Sequence, residues 1–261
     1  MREYLDTLEN VMPTIESNSV RMIFADFPFN TTMASWDTPV DLELFWREAW
    51  RILLDNGVVI AKAQVPFNII LGNSQLNHLK YEWIWEKTSA TGSFNCNKSP
   101  LKASENLMVF YKKQPLYYPQ KTEGHKPVNS FTKRKVIADK CEIYGKNTKD
   151  ITGGGNTDRY PRNVLKFPSD KQRLSLHPCQ TPEALIEYFI KTYTNEGDTI
   201  LDPCRGVNGV GVCADRLNRK AILIEKDKYF YEIGLLRRQF PELRTKELKE
   251  KYEETIKLAV S

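Results

Sequence analysis

Apolar and polar positions follow two alternating rhythms along this chain. VRMIFAD, residues 20–26, is a continuous apolar run closed by a carboxylate, the pattern of a strand buried on both faces. DLELFWREAWRILLDNG then sets Leu42, Phe45, Trp46, Ala49, Trp50 and Leu53 on one helical stripe, with Gly57 as its stop. VVIAKAQ, LKYEWIWEK and ENLMVFYKK read as three further strands. TPEALIEYFIKTYTNEGD is an amphipathic helix entered at Pro182 and ended by Gly197. A strand TILDPC, a glycine-bearing turn, a helix GVCADRLN and a strand KAILIEKD follow. Strands alternating with helices predict an α/β fold, a mostly parallel sheet with helices on both faces.

Between these two regions the periodicity is lost. Gln114 to Gln172 is rich in Pro, Gly, Asn, Thr and Lys and includes TGGGNTD, too long for an ordinary connection. The expected organisation is therefore residues 1–113, an irregular insert at 114–172, and residues 173–261. From Tyr111 to Arg173 there are fifteen Lys/Arg against six Asp/Glu, a local net of +9, which leaves −4 for the rest of a chain whose total is +5. A basic segment inside a slightly acidic protein points to a polyanion partner.

The 261 residues, 41% of them hydrophobic, suit one large α/β domain or two small ones and exclude a disordered chain. No apolar run approaches the roughly 18 residues of a membrane span, and MREYLDTLEN lacks the basic start and apolar stretch of a signal peptide. Cys96, Cys141, Cys179, Cys204 and Cys213 have no metal-type spacing. They read as reduced thiols of a cytoplasmic protein, with no metal expected.

Two stretches carry chemistry. In IFADFPFN the carboxylate of Asp26 is followed at once by Phe27, Pro28 and Phe29, a hydrogen-bond acceptor beside a flat apolar surface. ILDPCRGVNGVGVCADRL is strand, glycine turn and helix, and such a turn brings backbone N–H groups close to a ligand. Glu225 ends the next strand, 23 positions after Asp202, where an acid suits the hydroxyls of a ribose. The ligand expected is an adenosine-containing cofactor. Gly206, Gly209 and Gly211 do not match GxGxxG, and Asp202 is placed to accept from an ammonium. Both features favour S-adenosylmethionine over a nicotinamide dinucleotide.

From LHPCQTPEALIEYFIKTYTNEGDTILDPCRGVNGVGVCADRLNRKAILIEKDKYFYEI the chain resembles the permuted β-group DNA amino-methyltransferases, in which a HPTQKP-like segment and helix precede a DPF-x-G-x-G-T loop and an acidic strand end. Asp26–Phe29 stands where that family carries (D/N/S)PP(Y/F/W). KYEWIWEKTSATGSFNCNKSPLKASENLMVFYKK looks like the central strands of phage-borne members. The resemblance runs from about Tyr4 to Arg238. It implies a Rossmann-like class I methyltransferase fold, permuted, and a site-specific DNA methylase of restriction-modification or phage type. Asp26 and a backbone carbonyl at Phe27 or Pro28 would grip an exocyclic amine, adenine N6 rather than cytosine N4, while Phe29 stacks on the flipped base. Asp202 would bind the methionine ammonium and Glu225 the ribose. Cys204, Gly206 and Asn208 would form the cofactor loop, and the segment from His177 to Pro182 would line the methionine side. Lys112, Lys113, Lys133, Arg134, Lys135, Arg159 and Arg162 would contact double-stranded DNA. A homodimer is compatible with the resemblance.

The chain departs from the family pattern at several places. Phe27 replaces a proline, Val207 and Asn208 replace a small residue and a glycine, and Arg205 and Lys62 bring cations to a region expected to face a cationic cofactor. β-Branched Val207 resists positive φ, whereas Asn208 tolerates it. These changes keep a second reading open, a methyltransferase-like DNA-binding protein without catalysis. A third reading is methylation of RNA or a free base.

Overall fold

The computed structural model describes residues 1–34, 36–127, 131–135, 150–170 and 174–260, with the side chains of 131–135, 150–153 and 258–260 left aside. Two compact units are present, one of residues 1–118 with 163–261 and one of residues 119–162.

The first unit is built on an eight-stranded sheet. In chain order its elements are β1 (Arg2–Leu5), α1 (Leu8–Val11), β2 (Val20–Asp26), α2 (Leu42–Ile52), β3 (Leu53–Ala63), α3 (Phe67–Ser74), β4 (Leu79–Thr91) and β5 (Lys102–Phe110). Two short strands of the second unit, β6 (Phe131–Lys135) and β7 (Asp150–Gly153), pair antiparallel. The chain then returns with β8 (Val164–Phe167), α4 (Glu183–Tyr193), β9 (Thr199–Asp202), α5 (Gly209–Arg216), β10 (Lys220–Glu225), α6 (Lys228–Gln239) and α7 (Thr245–Val260). The sheet order is β1-β10-β9-β2-β3-β5-β4-β8, and only β5 runs against the rest. The mostly parallel α/β sheet expected from the alternating pattern is present.

Side-chain alternation in β2 shows how the strands serve both faces. Ile23 and Ala25 pack with Phe45, Trp46, Ala49 and Ile52 of α2, and with Leu8, Val11, Phe67 and Leu71 of α1 and α3. Met22 and Phe24 pack on the opposite face with Leu185, Ile186, Phe189 and Ile190 of α4 and Val210 and Ala214 of α5. Successive strand residues point to opposite sides, so a strand covered on both must be apolar throughout. Each fully buried side chain such as Phe189 contributes roughly 1.5–3 kcal/mol relative to exposure. Among the described residues no helix is long and apolar enough to cross a membrane.

Three expectations need correction. Helix α2 ends at Ile52, so Leu53 opens β3 rather than continuing the helical stripe. Gly57 is not a helix stop. Val20 pairs with Leu53 and Met22 with Val58, so the residues between them on β3 form an irregular stretch. A Cβ on Gly57 would meet Leu53 Cδ2 at 2.8 Å and the Leu54 carbonyl at 3.0 Å, a close approach that suits glycine. The insert is also narrower than 114–172, because Val164–Phe167 forms β8 and pairs in parallel with Ile84–Lys87 of β4.

Candidate active site

Parallel strands that reverse their order of addition leave a crevice at their carboxyl ends. Here the reversal lies between β2 and β9, which pair through Met22 with Ile200 and Ile23 with Leu201. Asp26 and Asp202, the last residues of these two strands, therefore project at one sheet edge. Both line a single cavity of about 300 Å³, together with Phe27, Pro28, His177, Cys179, Thr181, Cys204, Gly206 and Glu225. Asp6 and Thr7 after β1, Trp36 and Thr38, Phe230 of α6, and the cations Arg205, Lys226 and Arg237 are also in its wall. Asn208 is fully buried beside it.

The glycine turn closes on the acid of the next strand. Gly206 N–H donates to Glu225 Oε2 at 2.7 Å and Asp227 N–H to Glu225 Oε1 at 2.8 Å. Cys204 N–H donates to Asp202 Oδ1 at 3.1 Å. Gly206 and Asn208 take the two left-handed positions, at φ 54° and 65°. Val207 does not need positive φ. It is buried with Leu176, Ile233 and Leu248, so its branched side chain serves packing. Asn208 donates to the Gly234 carbonyl at 3.1 Å, and its Oδ1 lies 2.0 Å from where a Cβ on Gly211 would stand. Asparagine thus occupies space that the turn leaves open only beside a glycine.

The two cations do not face the cavity as free charges. Arg205 is buried, pairs with Glu3, and donates to the carbonyls of Phe230 and Tyr231. Lys62 lies directly opposite Asp26 in the β2–β3 register. Its ammonium is 2.7 Å from Asp26 Oδ2, 2.9 Å from Thr181 Oγ1, 3.2 Å from Glu105 Oε2 and 3.3 Å from the Cys179 carbonyl. Asp26 and Glu105 together hold the Lys62 amine well above the usual range against the effect of burial. The expectation that these residues would repel a cationic ligand is set aside, because each has its own carboxylate partners.

Burial pushes the Asp202 carboxyl up to about 8, with the nearby charges of Asp26 and Glu225 adding to it. Burial likewise raises Glu225 against two backbone donors. An acidic wall of this kind is best completed by a ligand that carries positive charge. A sulfonium with an amino-acid ammonium matches it, and Glu225 at the end of β10 suits a ribose.

The Asp26–Phe29 stretch divides between core and cavity. Phe27 is 2% exposed and edge-on to Phe45 with centroids 4.8 Å apart, so its ring belongs to the core, and the residue also lines the cavity. Phe29 stacks on Phe67 at 5.6 Å with an interplanar angle of 23°. Asp37 ties down the following loop, accepting from the N–H groups of Asn30, Thr31 and Thr32 and from the Thr32 hydroxyl. His177 accepts from Cys179 N–H through Nδ1 at 3.1 Å, and its ring sits 4.8 Å from Trp36 and 4.5 Å from Phe230.

The basic residues are scattered. Antiparallel pairing of β5 with β3 sets Leu107 against Lys62 and Phe110 against Val59. Phe110, the last residue of β5, is already about 10 Å from Leu107 along the strand at ~3.4 Å per residue, and Lys112 and Lys113 follow it at the other sheet edge. There Lys113 pairs with Asp55 at 2.7 Å and Lys112 covers the Trp50 ring. Lys133, Arg134 and Lys135 sit on β6 with side chains outside the described residues. In the same unit Arg159 donates to the carbonyls of Asn156, Asp158 and Lys126, a bracing role, while Arg162 is exposed. The segment from His177 to Pro182 brought Thr181 into the expected lining, but sequence reasoning missed its contact with Asp26, and missed Glu105, Trp36, Phe230 and Asp6. Nothing local marks them, because each joins the site through an element remote in the chain.

The DNA methylase family matches residues 20–235. The DNA adenine methyltransferase YhdJ of Escherichia coli K12 is 28% identical over 85% of this chain and 77% of its own length. The type II methyltransferase M2.DpnII of Streptococcus pneumoniae is 38% identical over 90 residues, 34% of this chain and only 30% of that protein. The solved PvuII cytosine-N4-specific DNA methyltransferase superposes with a TM-score of 0.68 at 16% identity, covering 96% of this chain and 90% of that one. The solved M1.HpyAVI–SAM complex shares the fold at 20% identity, with a TM-score of 0.58, covering 90% of this chain and 98% of that one. With the family's match spanning most of a chain whose two acidic strand ends share one cavity, this protein belongs to the DNA methylase family, on a class I methyltransferase fold.

Proposed function

We propose that this protein methylates the exocyclic N6 amine of adenine within a short sequence of double-stranded DNA. The observation that carries the reading is the convergence of Asp26 and Asp202 on one cavity. The adenine specificity in the printed name of YhdJ, and an aspartate rather than a serine at position 26, support N6 over cytosine N4.

Bound S-adenosylmethionine supplies a methyl group on a positively charged sulfonium. Asp202 and Glu225 would hold it, with His177, Cys204, Gly206 and Asn208 shaping the pocket. The remaining work falls on the base. Its amino lone pair is delocalised into the ring and is a poor nucleophile. Asp26 accepts one N–H and a carbonyl at Phe27 or Pro28 accepts the other, turning the lone pair out of the ring plane. Phe29, backed by Phe67, offers a flat surface for the extruded base. Positioning and electrostatics supply the acceleration. Lys133, Arg134, Lys135 and Arg162 remain the candidates for DNA contact.

The test is transfer of labelled methyl groups to duplex DNA, followed by digestion and identification of the modified nucleoside. N6-methyladenine, lost in Asp26→Ala with an unchanged circular-dichroism spectrum, is expected. N4-methylcytosine as the product overturns the adenine assignment. Competition by RNA or nucleosides that matches duplex DNA overturns the DNA assignment.

A further inference from the structure

We infer that Lys62 is a positioning residue that fixes the catalytic carboxylate from the neighbouring strand and keeps it an acceptor. The inference rests on the reading of Asp26 as the group that grips the substrate amine.

The geometry assigns the two Asp26 oxygens different tasks. Oδ2 receives the Lys62 ammonium at 2.7 Å and the Thr181 hydroxyl at 2.9 Å. Thr181 in turn accepts from Lys62, so the three groups close a triangle. Oδ1 has no hydrogen-bond partner among the described residues, and it is the oxygen left for an amine. A carboxylate held by two donors on one oxygen cannot swing, and the direction of its free lone pairs is set before substrate arrives.

A cation is needed at this point because nearly every other titratable group facing Asp26 opposes its charge. Asp202 from β9 and Glu105 from β5 are acidic, the Cys204 thiol is uncharged, and Thr181 only donates. Lys87 from β4 pairs with Glu105 at 2.5 Å and serves that residue. Lys62, with the Cys179 thiol beside it, is the ammonium in contact with Asp26 among the described residues. Desolvation raises the Asp26 carboxyl and the Lys62 charge opposes that rise; with Lys62 neutral the protonated form would gain ground, and a protonated Asp26 presents a donor to the amine, the reverse of what orientation of the lone pair needs.

The HPTQKP-like segment reads HPCQTP here, so Thr181 stands in place of the pattern's lysine. The Lys62 ammonium reaches that hydroxyl at 2.9 Å from β3, and a charge absent from one segment is supplied by another.

The experiment compares wild type, Lys62→Met, and Lys62→Met combined with Thr181→Lys. Carbon-13 NMR of aspartate-labelled protein, with the Asp26 signal identified from Asp26→Asn, follows the carboxyl without any substrate. Single-turnover methyl transfer to duplex DNA is measured across pH in parallel. In Lys62→Met, Asp26 is expected to titrate at least about one pH unit higher, and transfer to slow about tenfold at pH 6.5 and recover as pH rises. The double variant is expected to restore both. Glu105 keeps Lys87 as its partner in Lys62→Met. Should that variant not fold, Glu105→Gln gives an independent reading, since removing the competing acid is expected to lower the Asp26 titration. Unchanged Asp26 titration in Lys62→Met, or faster transfer at every pH, overturns the inference. A wild-type protein that labels no DNA overturns the functional reading instead, and leaves the carboxyl titration to judge Lys62.

Discussion

Asp26 and Lys62 lie side by side on parallel neighbours, cross-strand partners at the ends of β2 and β3, with carboxylate and ammonium 2.7 Å apart. Asp26 lines a cavity in which Asp202 and Glu225, by contrast, have no Lys or Arg in salt-bridge contact among the described residues, although Arg205 lies near enough to oppose the rise of both carboxyls. One acid is neutralised from within the chain and the others are left for a ligand. Under the proposed function, this division separates the residue assigned to the base from those assigned to the methyl donor.

Replacing Asp26 by Asn keeps the shape of the side chain but removes the charge that Lys62 faces. We expect methyl transfer to fall by about 10²–10⁴, with affinity for S-adenosylmethionine within a few-fold of wild type. Rapid-quench assays and calorimetry separate the two. Equal losses of transfer and cofactor affinity would place Asp26 in the cofactor site instead.

Asp202 predicts a proton balance. Its carboxyl, pushed up to about 8, is mostly protonated at pH 7 in the free protein, and a bound ammonium favours the ionised form. Cofactor binding at pH 7 should therefore release close to one proton, seen as a dependence of calorimetric heat on buffer ionisation enthalpy. Asp202→Asn should abolish that release.

The same raised value has a sign for stability. The unfolded carboxyl titrates near 3.8 and the folded one near 8, so the folded state binds more protons between them. The contribution to stability is present below about pH 4 and is lost as pH rises toward 8. Thermal unfolding without ligand should show wild type losing ground to Asp202→Asn as pH rises from 5 to 8.

The cofactor turn depends on a steric bargain between Asn208 and Gly211. A Cβ at Gly211 would collide with Asn208 Oδ1 at 2.0 Å and Leu223 Cδ1 at 2.8 Å. Gly211→Ala is expected to cost about 1–3 kcal/mol. Adding Asn208→Gly, which suits the positive φ, should recover part of it, as chemical denaturation will show.

Lys112 and Lys113 lie at the sheet edge remote from Asp26. Replacing both by Ala should leave the slope of log affinity against log salt unchanged, whereas each lost phosphate contact lowers it by about one. A shallower slope in the double variant would return these lysines to the DNA face.

Local pattern was enough for much of this protein. The apolar runs named β2, β9 and β10, because a strand covered on both faces leaves no polar alternation. The carboxylates closing those runs, Asp26, Asp202 and Glu225, could be picked out because an acid at the tip of a buried strand has no packing role. Asn208 was read as the residue able to stand in for glycine, and it takes positive φ. What the tertiary structure decided was partnership. Whether Lys62 repels a cofactor or anchors Asp26 depends on the pairing of β2 with β3, and a bulge at Leu54–Gly57 offsets that pairing from any simple count. Arg205 is drawn to Glu3, 202 positions earlier in the chain, through the pairing of β1 with β10. Periodicity reports which face of an element is buried. It carries no record of which distant strand lies alongside or in what register, and that register chose the partner of every charge at this site.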